Sequence, residues 1–260
     1  MTVDWDEVQK IISPIKDYED LCSRFKVSFS FHFVCAKFNY TLPQLIDYTQ
    51  KLLLGDSHGR YSEYNTRLIG IMSRLNQAGV QYILDLTERT ANRTKLESFV
   101  TLSALSALDT IAFLKYLVYW FIPGEKYLSG LVRYDLEIVE AIKALREAGV
   151  RTNLEIIERG ITAAERNSLA KESELPYPLI TELVNRADLS RLPWASKATI
   201  SNIIGAGYAS LFQLANANPQ QLYEDFFRYG KTIGKNLKLG NEIENSYRIA
   251  RIVPVILQEE

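Results

Sequence analysis

The strongest constraint on the fold is a short pattern that occurs three times: an apolar residue, two variable residues, Ala-Gly, and another apolar residue. It reads Leu75-Asn-Gln-Ala78-Gly79-Val80, Leu145-Arg-Glu-Ala148-Gly149-Val150 and Ile203-Ile-Gly-Ala206-Gly207-Tyr208. A glycine here can take the left-handed conformation that closes a helix C-terminus, and the apolar residue after it folds back on the last turn. An apolar pair follows at matched offsets: Leu84 with Leu86, Leu154 with Ile156, and Phe212 with Leu214. Three copies predict a reused helical hairpin, and their unequal separations argue against a regular solenoid.

The stretch around the third copy, Ala187 to Leu222, carries two clear helix starts. Ser196 precedes a run in which Ile200, Ile203 and Ile204 recur at spacings of three and four, so its hydroxyl can cap free backbone N–H groups. Asn218-Pro219-Gln220-Gln221 places an acceptor at the cap, proline at the first helical position and glutamine three residues after the cap. The whole chain is expected to be all-α: an N-terminal helical bundle over 1–130 and, after the break at Pro123-Gly124 and the loop to Gly130, a domain of short helices over 131–260 arranged as tandem hairpins.

Residues from about Leu136 to Leu222 carry further landmarks: Asn185-Arg-Ala-Asp-Leu189, the Ala-Gly turns, and Asn218-Pro219. With these the segment resembles a bacterial domain of unknown function built from tandem helix-hairpin-helix-like units, over about a third of the chain and extending toward the C-terminus. That family has no agreed activity. The resemblance implies a fold, and more distantly a link to helix-hairpin-helix modules that grip nucleic-acid backbones.

One departure from those modules bears on function. Hairpins that grip nucleic acid carry two glycines one residue apart, so that bare N–H groups and the following helix start can reach a phosphate. Between Leu192 and Lys197 this chain reads Pro193-Trp194-Ala195-Ser196. Trp194 and Ser196 fill the glycine slots, and Pro193 has no N–H. The expectation is a Trp that plugs a packing gap rather than one that touches a ligand.

Charge gives little pull on polyanions: 30 Lys and Arg stand against 31 Asp and Glu, a formal charge of -1, with a pI near 6.2. A nucleic-acid partner needs a local patch. Two cysteines, Cys22 and Cys35, and two histidines make neither a zinc cluster nor a disulfide framework, so no metal or cofactor is expected and a cytoplasmic location fits. The N-terminus is acidic and amphipathic, unlike a signal peptide. Asp4, Asp6 and Glu7 favour a helix dipole.

Along the N-terminal half, Phe25, Val27, Phe29, Phe31, Phe33 and Cys35 alternate with smaller residues, which fits a buried helix or a single short strand. Thr41-Leu42-Pro43-Gln44 starts a helix, and further helices are expected over about 61–77 and 83–95. Asp56, Ser57 and His58 are sequence neighbours in a glycine-flanked turn and do not give triad geometry. The apolar run from Phe99 to Ile122 reaches the roughly 20 residues of a bilayer span, but Asp109 and Lys115 inside it would cost roughly 2.5–3.5 kcal/mol each near the centre. A central helix of a bundle, without a membrane span, is the expectation.

The C-terminal segment holds the one candidate basic surface. Arg228, Lys231, Lys235 and Lys238 recur at intervals of three or four, followed by Arg248 and Arg251, with Tyr229 and Tyr247 among them. Gly230-Lys231-Thr232 lacks the upstream glycine of a phosphate loop, because Asp225 stands there. No convergent catalytic set can be assembled from spacing, so the protein is not expected to be an enzyme. Two functions remain. The first is a non-catalytic interaction module that binds a protein partner or self-associates through surface including Trp194 and Tyr208. The second is sequence-nonspecific nucleic-acid binding through Arg191, Ser196, Lys197, Arg228, Lys231, Lys235 and Lys238.

Overall fold

The computed structural model describes residues 3–53, 62–132, 136–193, 195–235, 237 and 241–258. Its secondary structure is all-α, with no strand among the described residues beyond two isolated bridges. The chain divides into two compact units, Met1–Gly124 and Glu125–Glu260. The division falls at Gly124, ahead of Gly130, because residues 126–128 are bonded into the C-terminal unit: Lys126 N–H donates to Asn153 Oδ1 at 2.7 Å and Leu128 N–H to the Arg151 carbonyl at 3.0 Å.

The N-terminal unit comprises α1 (Trp5–Ile12), α2 (Tyr18–Ser28), α3 (His32–Phe38), α4 (Leu42–Leu53), α5 (Ser62–Gln77), α6 (Ile83–Arg89), α7 (Arg93–Ser103) and α8 (Ala107–Trp120). Asp4 caps α1 by accepting from the N–H groups of Asp6 and Glu7, both at 3.1 Å, the structural role its acidic neighbours imply. The alternating aromatic stretch is neither a strand nor one helix: α2 ends at Ser28, a turn follows, and α3 begins at His32.

α8 is the centre of this unit and packs against α1, α2, α5 and α7. The long apolar run is two helices rather than one. Ala104 takes a left-handed conformation, φ 54°, and Ser106 caps α8 by accepting from Asp109 N–H. The two charges in the run leave the core at its rim. Lys115 Nζ donates to the carbonyls of Ile11 and Ser13 at 2.6 and 2.7 Å, neutralising the C-terminal end of α1. Asp109 accepts from both Arg67 and Arg74 on α5. Among the described residues no helix is long and apolar enough to cross a membrane. The helix expected over 83–95 is also broken, because Asn92 accepts from Lys95 N–H and starts α7 afresh.

The C-terminal unit holds α9 (Leu136–Glu147), α10 (Asn153–Glu158), α11 (Ala163–Glu172), α12 (Tyr177–Leu189), α13 (Lys197–Gly205), α14 (Leu211–Ala215), α15 (Pro219–Thr232) and α16 (Asn241–Ala250). α12 packs on α10, α11 and α14, α14 on α16, and α13 on α15 and α16. Thr162 and Glu165 form a reciprocal capping box at the start of α11, and Asn218 caps α15 with Pro219 behind it.

The three Ala-Gly turns share one geometry. Gly79, Gly149 and Gly207 have φ of 80°, 79° and 104°. The next residue reaches back five positions in each, Val80 N–H to Leu75, Val150 to Leu145 and Tyr208 to Ile203, the bond that closes a helix over a left-handed residue. Six residues after each glycine a side-chain oxygen, of Asp85, Glu155 or Gln213, accepts the N–H of the second residue after that glycine, Gln81, Arg151 or Ala209. The first two copies also share an antiparallel bridge, Thr41 with Tyr82 and Tyr127 with Thr152.

Candidate interaction surface

The loop joining α12 to α13, where a gripping hairpin would be bare, is held from within. Asn153 Nδ2 donates to Ser190 Oγ at 3.1 Å, Ser190 Oγ donates to the Ala187 carbonyl at 2.7 Å, and Lys126 Nζ donates to the Ser190 carbonyl at 2.6 Å. Burial lowers the proton affinity of Lys126. Arg191 belongs to this interior: its side chain is 1% exposed and pairs with Asp188, Nη2 to Oδ1 at 2.6 Å. It therefore presents no cation to a phosphate.

Ser196 caps α13 by accepting from Thr199 N–H at 3.1 Å, and Lys197 beside it is exposed. Trp194 and Lys238 lie outside the described residues, as do Asp56, Ser57 and His58. Tyr208 is a brace. Its hydroxyl donates to Asp225 Oδ2 at 3.0 Å and its ring stacks on Phe226 at 6.3 Å, tying the third turn to α15. Burial, then the Asp225 carboxylate, pushes its phenol up to about 12.

The exposed side of α15 differs from its buried side in a way the sequence makes readable. Leu222 and Phe226 are buried, whereas Tyr223 and Phe227 are 56% and 46% exposed one turn apart. Lys231, one further turn on, stands 4.3 Å over the Phe227 ring. Arg228 is exposed beside Asp225 at 3.4 Å, and Lys235 is exposed just past the helix. Sequence reasoning singled out the cations of this strip with Tyr229 and Tyr247 and passed over Tyr223 and Phe227, although the 223, 227, 231 spacing is present in the sequence.

A second feature was not readable. Between α12, α14, α16 and the C-terminal tail lies a cavity of about 450 Å³ whose lining includes Asp188, Phe212, Tyr247, Arg251, Val255 and Ile256. The tail wall is fixed, because Gln258 N–H donates to the Ile161 carbonyl and Arg166 Nη2 to the Gln258 carbonyl. Its residues come from four separate segments, which no periodicity brings together.

Among the described residues no three His, Cys, Asp or Glu side chains are grouped so as to hold a metal ion. The class defined by these features is an all-α protein of two helical units joined at Gly124. Residues 138–242 match the model of a family described as a domain of unknown function (DUF4332), which takes in α10 to α15 and most of α9. Comparison with curated proteins and with solved structures gives no match.

Proposed function

We propose that the protein is a non-catalytic helical interaction module that binds a protein partner or a second copy of itself, with the exposed side of α15 as its contact face. The observation that carries this reading is the pair Tyr223 and Phe227, large aromatics left in solvent one turn apart on a helix whose opposite side is well buried. Exposed aromatics rimmed by charge are the usual anchors of protein interfaces, supplying contact area at low side-chain entropy cost. The tandem hairpin reading of the C-terminal unit fits here: repeated rigid turns hold short helices at fixed angles and present one of them outward. Three of the buried ionisable groups with displaced proton affinities, Asp188, Lys126 and Tyr18, are engaged in structural bonds to Arg191, Ser190 and Thr90, which supports a role without catalysis.

A second reading, sequence-nonspecific nucleic-acid binding, draws support from the exposed Lys197 at the start of α13 and from Arg228, Lys231 and Lys235. It is the weaker of the two, since within α15 Glu224 and Asp225 offset Arg228 and Lys231 one for one. Light scattering on size-exclusion fractions, at about 0.1 M and about 1 M salt, separates the readings because screening shortens from about 10 to about 3 Å. A complex or oligomer that survives high salt and is lost in a Tyr223→Ser, Phe227→Ser double variant supports the first. A strict monomer that captures no protein but shifts DNA at low salt replaces it with the second.

A further inference from the structure

The groove bounded by α14, α16 and the C-terminal tail has chemistry that the α15 face does not share. Asp188 lines it with a side chain 5% exposed. Both of its contacts with Arg191, Nε at 2.7 Å and Nη2 at 2.6 Å, fall on Oδ1. Arg191 therefore leaves Oδ2 unengaged in these contacts, and the second oxygen of a carboxylate at the cavity wall is left to a donor arriving from the cavity. A donor arriving there recovers part of the desolvation cost of the group.

Arg251 also lines the groove and is exposed, with its guanidinium 5.7 Å from the Tyr247 ring centroid and no carboxylate partner among the described residues. Between the two charges the walls are apolar, including Phe212, Val255 and Ile256. Phe212 stands five residues after its turn glycine. At the equivalent places of the other two copies Leu154 is fully buried and Leu84 half-buried, whereas Phe212 is 47% exposed. The third copy leaves open a position that the second copy closes with its own core. The volume, about 450 Å³, falls in the range of about 300–1,000 Å³ typical of small-molecule sites.

We propose that this groove binds a small zwitterion with an apolar body, an apolar amino acid or dipeptide, whose ammonium donates to Asp188 Oδ2 and whose carboxylate pairs with Arg251. The inference does not rest on the α15 contact face, and neither residue belongs to that face.

Calorimetric titration of the whole chain with L-phenylalanine and with leucyl-leucine tests it, alongside phenethylamine and hydrocinnamate, which carry only the cation or only the anion. At least one zwitterion should bind saturably, each half-molecule about tenfold or more weaker, and Arg251→Ala should weaken the zwitterion about tenfold while leaving the unfolding temperature unchanged. Ala215→Trp, which places an indole in the groove, should abolish binding. The inference is overturned by no saturable heat up to about 10 mM of either zwitterion, by equal binding of either half-molecule, or by binding that Arg251→Ala leaves intact.

Discussion

Asn153 and Ser190 stand 37 positions apart and share a buried hydrogen bond of 3.1 Å, the amide of the first residue of α10 donating to the hydroxyl of the residue that ends α12. Asn153 is fully buried and its carbonyl oxygen accepts from Lys126 N–H at 2.7 Å. One side chain therefore fixes the entry to the C-terminal unit and the loop between α12 and α13 at once. The Ser190 end of that loop is thereby tied into the core.

Asn153→Ala should accordingly cost about 2–4 kcal/mol, because it strands the Lys126 N–H and opens a small void as well as losing two bonds. Urea denaturation measures the loss, and hydrogen exchange should speed at the amides of 190–192. A loss below about 0.5 kcal/mol would mean that water replaces the side chain without penalty.

Gly79, Gly149 and Gly207 should respond alike to alanine. Nothing lies within 4 Å of an added Cβ at any of the three, so packing is not at issue and only the positive φ is. Each substitution should cost about 1–2 kcal/mol, with asparagine tolerated better. Gly230→Ala is a contrasting case: its φ is unremarkable for a helix, but the new Cβ would sit 2.6 Å from the Lys235 carbonyl oxygen. Overpacking against backbone should cost about 1–3 kcal/mol there, and asparagine should be worse than alanine. Equal tolerance of asparagine at all four positions would contradict the assignment.

What was legible in the sequence was punctuation that acts locally. The caps at Ser196, Thr162 and Asn218 and the three glycine turns need only neighbours within a few residues to form. The breaks at Asn92 and Ser106 were harder to see, because neither is marked by glycine or proline: Asn92 lies in a polar stretch from Thr87 to Lys95, and the hydrophobic pattern continues across Ser106. The alternation from Phe25 to Cys35 misled for a related reason: a helix end, a turn and a helix start placed apolar residues at every second position without a strand. Arg191 could not be told from a surface cation, since its partner Asp188 is three residues away on the same side, a spacing equally common on exposed helices. The groove was invisible because its opposed charges, Asp188 and Arg251, belong to segments 63 residues apart in sequence.

Cys22 should be a slow thiol. Burial pushes it up to about 11, and its Sγ lies 3.5 Å from the Thr90 carbonyl. At a pH of about 8 a free cysteine is roughly a quarter thiolate and Cys22 about a thousandth. In a Cys35→Ser variant, reaction with a disulfide reagent should run about a hundredfold slower than with a small thiol and accelerate in urea. A rate near that of the small thiol would show that the thiol opens to solvent easily.

Replacing Arg191 by methionine should separate its structural role from any contact with polyanions. Asp188 would be left charged and buried without its partner, at a cost of about 3–5 kcal/mol near neutral pH. Burial already holds the Asp188 carboxyl above its ordinary range, and Arg191 is the group that pulls it down, so the substitution raises it further. A carboxyl raised in the folded state contributes its stability in full below the unfolded value near 4, and that contribution is lost as pH climbs toward the folded value. The deficit of Arg191→Met against the unsubstituted protein should therefore be largest at a pH of about 8 and shrink toward a pH of about 4, as urea denaturation across that range would measure. A deficit constant with pH would mean that Asp188 is not left as a buried anion, and that water enters to solvate it instead.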